Sequence, residues 1–212
     1  MKKVLAALSL SLLALSSAHA GTIAGLYNTG AGSSFTTDDN YQLKVISGST
    51  VLPGDHPYIS GNGSIRGEWL PNSGASKWIT PMPLGSASLD PDVIGIYSYT
   101  LRFNVSDAQL AGARFTGRMA ADNLVSAYLN GHLIGTGTGF SSWSNFAANS
   151  GFVSGINTVQ FLVINEAGGG NPSGLRAEFL SSITAVPEPE TYAMLLGGLA
   201  LVGCAARRRK QA

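Results

Sequence analysis

From Ile96 to Val105 the chain alternates with a period of two: Tyr97, Tyr99, Leu101, Phe103 and Val105 fall on one side, Ser98, Thr100, Arg102 and Asn104 on the other. Successive side chains of an extended strand point to opposite faces, so this run is a strand with one face buried and one wet. Arg114 to Met119 repeats the pattern, with Phe115 and Met119 opposite Arg114, Thr116 and Arg118. Leu124–Leu129, Asn130-Gly131 and His132–Ile134 read as a two-residue hairpin, because a type I′ turn needs positive φ at both central positions and Asn-Gly meets that need. Asn157–Asn165 is apolar on both faces, as a central strand would be, and Leu175–Ile183 supplies a last strand. Helix is scarce: Ser106–Gly112 offers a single turn after a Ser or Asp cap. The Gly-, Ser-, Pro- and Asn-rich stretches 48–63 and 79–91 read as loops, of a length that in compact domains is often functional. Gly135-Thr136-Gly137-Thr138-Gly139 lacks the dinucleotide-binding spacing and reads as a flexible loop after the hairpin. The fold class is all-β, a jelly-roll sandwich.

The two ends of the chain follow a different logic. Met1 to Ala20 has a basic start at Lys2 and Lys3, an apolar run from Val4 to Leu15, and Ala18-His19-Ala20. Small residues at Ala18 and Ala20 are what signal peptidase accepts, which places cleavage before Gly21. The apolar run is too short to cross a bilayer, for which about 20 residues are needed. At the other end, Val186-Pro187-Glu188-Pro189-Glu190-Thr191 precedes an apolar stretch, Tyr192 to Ala206, closed by Arg207-Arg208-Arg209-Lys210. The prolines hold an extended, accessible segment. The apolar stretch reads as a single transmembrane helix over about residues 191–206, lengthened by snorkelling arginines and oriented with its basic end in the cytoplasm. The chain thus divides into a signal peptide (1–20), an ectodomain (21–185) and a C-terminal sorting segment (186–212).

Removing the ends changes the charge. The whole chain is formally +1, but residues 21–185 hold seven Lys or Arg against ten Asp or Glu, a net −3. With no basic stretch to neutralise phosphates, nucleic acid is excluded as a partner. The only cysteine, Cys204, lies in the tail, so the ectodomain has no disulfide although its export route leads to an oxidising compartment.

Pro-Glu-Pro, a short apolar helix and an arginine cluster, in that order at the end of a chain with a signal peptide, resemble the PEP-CTERM sorting signal. The resemblance implies processing by signal peptidase and by an exosortase cutting near Val186, Pro187, Glu188 and Pro189. It also implies an inner-membrane-anchored intermediate held by Arg207, Arg208 and Arg209, then the cell surface or extracellular matrix of a Gram-negative bacterium. A second resemblance covers about half the chain. Lys77-Trp78-Ile79, Gly95 to Tyr99, Asp122-Asn123, Tyr128 to Gly131, Phe152, Gly155 to Thr158 and Asn171 to Arg176 follow in the order seen in galactose-binding-like jelly-roll domains. Leu26 to Gly30 and Asp39-Asn40-Tyr41 would be the opening strands of the same sandwich.

Little in the sequence suggests catalysis. His56 and His132 both sit beside turn residues, and no Gly-x-Ser-x-Gly elbow is present. A glycosidase needs two positioned carboxyl groups. Glu68, Glu166 and Glu178 fit solvated strand or loop positions better. Zinc ligands do not cluster. Asp38, Asp39, Asp90 and Asp92 offer hard oxygens in loops and are candidate ligands for a structural calcium, the one cofactor the sequence suggests. Sugar recognition needs an aromatic platform and planar polar groups, for which Trp78, Trp143, Asp122, Asn123, Asn171 and Arg176 are the candidates. The expected protein is a non-enzymatic surface protein whose sandwich contacts polysaccharide. A structural matrix protein without a ligand is the second expectation, and a hydrolase the third.

Overall fold

The structure, a computed structural model, describes residues 21–168, 170–184, 196–201 and 207. Thr22–Thr184 form one compact unit, and Met1–Gly21 with Ala185–Ala212 form another. In the second unit residues 196–201 and 207 are helical, with Leu196, Leu199 and Leu201 exposed. Among the described residues no helix is long and apolar enough to cross a membrane. Most of the span expected at 191–206 lies outside the described residues, as do Ala18, Ala20, Val186, Pro187, Glu188, Pro189, Arg208 and Arg209.

The larger unit is a sandwich of ten strands: β1 (Tyr41–Ser47), β2 (Tyr58–Ile59), β3 (Ile79–Thr80), β4 (Gly95–Val105), β5 (Arg114–Asp122), β6 (Leu124–Leu129), β7 (His132–Thr138), β8 (Ser144–Ala148), β9 (Gly155–Asn165) and β10 (Gly174–Ile183). They form two five-stranded sheets, in the order β1-β4-β9-β6-β7 and β2-β3-β10-β5-β8. All pairings are antiparallel. Register follows the hydrophobic pattern: Tyr97, Tyr99 and Leu101 of β4 stand opposite Val163, Phe161 and Val159 of β9, so all six turn inward together. The second sheet answers with Phe115, Met119, Leu175 and Ala177. Phe115 is the hub of the core, packing edge-on against Phe103, Phe146, Phe152 and Phe179 with ring centroids 5.3–6.3 Å apart. Full burial of a side chain such as Phe115 contributes about 1.5–3 kcal/mol.

The strands expected at 96–105, 114–119, 124–134, 157–165 and 175–183 are all present, and Asn130 and Gly131 take the positive φ of a type I′ turn (48° and 84°). The helical turn expected at Ser106–Gly112 is α1 (Asp107–Leu110), where Gln109 Oε1 accepts the Ser106 N–H at 3.0 Å. Three expectations change. The stretches 48–63 and 79–91 are not wholly loop, since they carry β2, β3 and a 3-10 turn at Asn62–Ser64. Two-residue strands are too short to show a period. Gly135 to Thr138 is not a loop but the second half of β7, and its glycines let β7 close against β8. A Cβ on Gly135 would lie 2.7 Å from the Phe146 Cβ, and one on Gly137 2.7 Å from the Ser144 Cβ. Leu26 to Gly30 is turn rather than an opening strand, tied to β10 by the Thr29 N–H on the Ala177 carbonyl at 3.0 Å. β1 does open the first sheet, and β2 and β3 enter the second, so the N-terminal half belongs to the same sandwich.

Candidate ligand-binding face

The outer face of the second sheet is where the candidate residues meet. Because β5 and β10 pair with Glu178 opposite Arg118 and Arg176 opposite Ala120, the outward positions of β5 (Arg114, Thr116, Arg118, Ala120, Asp122) line up with Gly174, Arg176 and Glu178 of β10. On the other side of β5, Asn145 of β8 stands opposite Arg118 and Ala147 opposite Thr116.

The segment between β2 and β3 folds over half of this face. Trp69 and Trp78, with ring centroids 4.3 Å apart, bury themselves against Ala120. The Trp78 Nε1–H donates to the Leu70 carbonyl at 2.7 Å, and the Trp69 Nε1–H to Asp122 Oδ2 at 3.0 Å. Gly174 makes room: a Cβ there would stand 3.0 Å from the Trp69 ring. Burial pushes the Asp122 carboxyl up to about 6, against the lowering effect of the Trp69 N–H and the Arg66 charge.

Beside the tryptophans lies a charged triad. Arg118 Nε and Nη2 bind Glu178 Oε2 at 2.7 and 2.6 Å. Arg176 donates through Nε to Ser76 Oγ at 2.7 Å, and through Nη2 to Ser73 Oγ at 2.9 Å and Glu178 Oε1 at 3.4 Å; its Nη1 reaches the Pro71 carbonyl. The Ser76 hydroxyl completes the set on Glu178 Oε1 at 2.7 Å. Burial would raise the Glu178 carboxyl, but the Ser76 hydroxyl and the two guanidiniums outweigh it and hold it below its ordinary value. Glu178 is therefore a fixed anion with both oxygens occupied. Trp143, half-buried, carries its ring 4.4 Å from the Arg118 guanidinium carbon and 4.8 Å from that of Arg176. Next to Arg118 a shallow groove of about 480 Å³ runs over Thr116, Gly117, Asn145, Ala147 and Leu180.

The sequence candidates separate on this framework. Trp143 and Arg176 come together. Trp78, expected as a platform, is fully buried and presents no face to solvent, because the strand it introduces is covered by its own loop. Asp122 is also buried. Asn123 Oδ1 accepts the Glu166 N–H at 2.9 Å, and Asn171 Nδ2 donates to the Leu89 carbonyl at 3.1 Å, so both amides pin loops. Glu178, expected in water, is the most enclosed carboxylate of the face, at 2% exposure. Arg118, Ser73 and Ser76 join the site unforeseen. The i, i+2 spacing of Arg176 and Glu178 was visible, but not the loop that encloses them.

The calcium expectation does not fit the donors. Asp38 Oδ2 accepts the Gly30 N–H at 2.7 Å and Oδ1 both nitrogens of Asn40 at 3.2 Å. Asp90 Oδ1 accepts the Ser49 and Thr50 N–H groups at 2.7 and 2.9 Å, and Oδ2 the Tyr97 hydroxyl. Asp39 Oδ1 takes the Thr37 hydroxyl at 2.7 Å, and Asp92 is exposed. Most of these carboxylate oxygens are spent on the protein's own donors. Among the described residues no three acidic, histidine or cysteine side chains converge on a metal position.

Residues 185–210 match the PEP-CTERM protein-sorting motif. No curated protein matches the chain. Similar solved structures include an FMN-binding β-glucuronidase from Facaelibacterium prausnitzii L2-6, 15% identical over 67% of this chain and 22% of that one, with a TM-score of 0.37. A β-glucosidase from Kluyveromyces marxianus is 13% identical over 82% of this chain and 18% of its own, with a TM-score of 0.36. A family 29 carbohydrate-binding module complexed with mannohexaose is 12% identical over 80% of this chain and 93% of its own, with a TM-score of 0.36. The chain spans about a fifth of the length of the glycosidases it matches. The motif at 185–210 marks an exported protein.

Proposed function

We propose that this exported protein is a non-catalytic, carbohydrate-associated surface or matrix protein. In this reading its sandwich contacts polysaccharide through the outer face of the second sheet. The observation that carries the reading is the half-buried Trp143 ring held by two guanidiniums on a sheet face that also carries the exposed Thr116 hydroxyl and Asn145 amide. A sugar ring presents C–H groups to an aromatic face and hydroxyls to planar polar side chains, and a rigid platform reduces the ordering cost of binding. The face suits adhesion better than hydrolysis, which needs a second carboxyl group able to exchange a proton. Glu178 is locked as an anion, and the Asp122 carboxyl is enclosed beneath Trp69. Retention of the full-length protein on immobilised polysaccharides, lost at least tenfold on Trp143→Ala while the variant stays folded with a lowered melting temperature, is the expected result. Equal retention of wild type and variant would remove the platform.

The same reading extends to the tail. Exosortase cleavage near Pro187-Glu188-Pro189 releases the sandwich from an inner-membrane intermediate of a Gram-negative cell. Blotting the envelope for a shortened mature form tests this, and a chain that stays full length in every fraction speaks against it. A ligand-free matrix role is the second reading. It is favoured by the internal pairing of Arg176, Glu178, Asp122 and Asn171, which leaves few of the face's polar groups free for a partner.

A further inference from the structure

We propose that this face selects an anionic polysaccharide, with Arg114 and Arg118 of β5 as the charge-reading residues. The inference rests on the glycan-binding reading above and names its ligand class. Residues 21–185 carry a net −3, yet three of their seven basic residues, Arg114, Arg118 and Arg176, occupy the outer positions of two neighbouring strands. Two acids share those positions. Glu178 has both oxygens filled by Ser76, Arg118 and Arg176. Asp122 is buried beneath Trp69. With Glu178 ionised between Arg118 and Arg176 the triad keeps one net positive charge, and Arg114 adds a second, within an acidic domain.

Its geometry is that of a row. Arg114, Thr116 and Arg118 alternate outward along β5, which separates the two arginine Cα atoms by about 13 Å, a distance that a few sugar units bridge. Arg114 is exposed, and the Arg118 side chain keeps 37% of its surface in water even while paired. Between and beside them stand the Thr116 and Ser181 hydroxyls, 2.7 Å apart, and the exposed amide of Asn145. Carboxylates or sulfates spaced along a polysaccharide would meet guanidiniums at two points, with hydroxyl-binding groups between and the Trp143 ring at one end. A nucleic acid is the poorer match, because its affinity grows with the number of phosphates neutralised and this row offers only two surface-reaching cations in a negatively charged domain.

The test is affinity retention of the full-length protein, in mild detergent, on polygalacturonate, dextran sulfate, unsubstituted dextran and single-stranded DNA, at low and moderate salt. The expected result is retention on polygalacturonate or dextran sulfate that weakens with salt and falls about threefold to fivefold in Arg114→Gln, with dextran held poorly. Comparison of the two anionic matrices assigns the charge to carboxylate or sulfate. Arg114→Gln removes only an exposed side chain, and its melting temperature should equal that of wild type. Equal retention on dextran, unaffected by Arg114→Gln, overturns the anionic preference and leaves glycan binding intact. Stronger retention on DNA overturns it in favour of phosphodiesters. Retention on none of the glycans removes this inference together with the glycan reading.

Discussion

The outer faces of the two sheets begin from the same sequence pattern and end differently. On the first sheet Gln42, Lys44, Arg102, Thr158 and Gln160 point outward and remain exposed or half-buried, as alternating polar residues should. On the second, Arg176, Glu178 and Asp122 also point away from the core, yet all three are almost wholly enclosed, because the segment carrying Trp69 and Trp78 lies across them. Alternation states which side chains leave the core between the sheets. It does not state whether they then meet water. Most polar residues leaving the first sheet need only solvent, and buried Ser98 is met by Gln160 Nε2 at 2.8 Å. A polar residue leaving the second beneath that segment needs a named partner, and Arg176, Glu178 and Asp122 each have one.

That contrast can be broken most sharply at Glu178. Glu178→Ala would strand two guanidiniums, one of them buried, and is expected to cost about 3 kcal/mol in urea unfolding. A loss under about 1 kcal/mol would mean that the triad is solvated and that the two faces are alike. Asp122 sharpens the comparison through pH. Its folded value of about 6 lies above the unfolded carboxylate range near 4, so the folded state takes up the proton first. Stability from this group is therefore fully present below about pH 4 and declines as pH rises through 6, by up to about 3 kcal/mol. Asp122→Asn should flatten that dependence between pH 4 and 7 while keeping an acceptor for the Trp69 N–H. An unchanged pH profile would place Asp122 in solvent. Glu178 and Asp90, both held below their ordinary values, act oppositely: their contribution is present above about pH 4 and is lost in stronger acid. On the open face Thr158→Ala should change stability by no more than about 0.5 kcal/mol. The smallest effect is expected from chelation, which should leave the melting temperature unchanged, since the loop aspartates already accept hydrogen bonds from the protein.

Much of the sandwich was readable because β4 and β5 run long enough to show a period of two, because β9 is an apolar run suited to a central strand, and because Asn130-Gly131 has few conformational alternatives to a tight hairpin. β2 and β3 were not readable, since a two-residue strand is defined by its neighbours and not by its own composition. The glycines of β7 looked like a loop because the signal they carry is spatial, the close passage of β8. At the candidate face the sequence named Trp143 and Arg176 but misplaced Trp78 and Glu178. Both errors have one cause: burial here comes from a loop folding over a sheet, which leaves no periodic trace in the residues it covers.

The position of β10 has a consequence for how the protein is made. It lies between β3 and β5, so the middle of the second sheet is the last piece of the sandwich to leave the ribosome, and Thr29 near the start of the domain waits for Ala177 to complete its bonding. A chain threaded across a membrane from its N-terminus cannot close this sheet until Ile183 has crossed. The sorting motif begins at residue 185, directly behind it. Completion of the fold and arrival of the address label are thereby the same moment in the life of the chain.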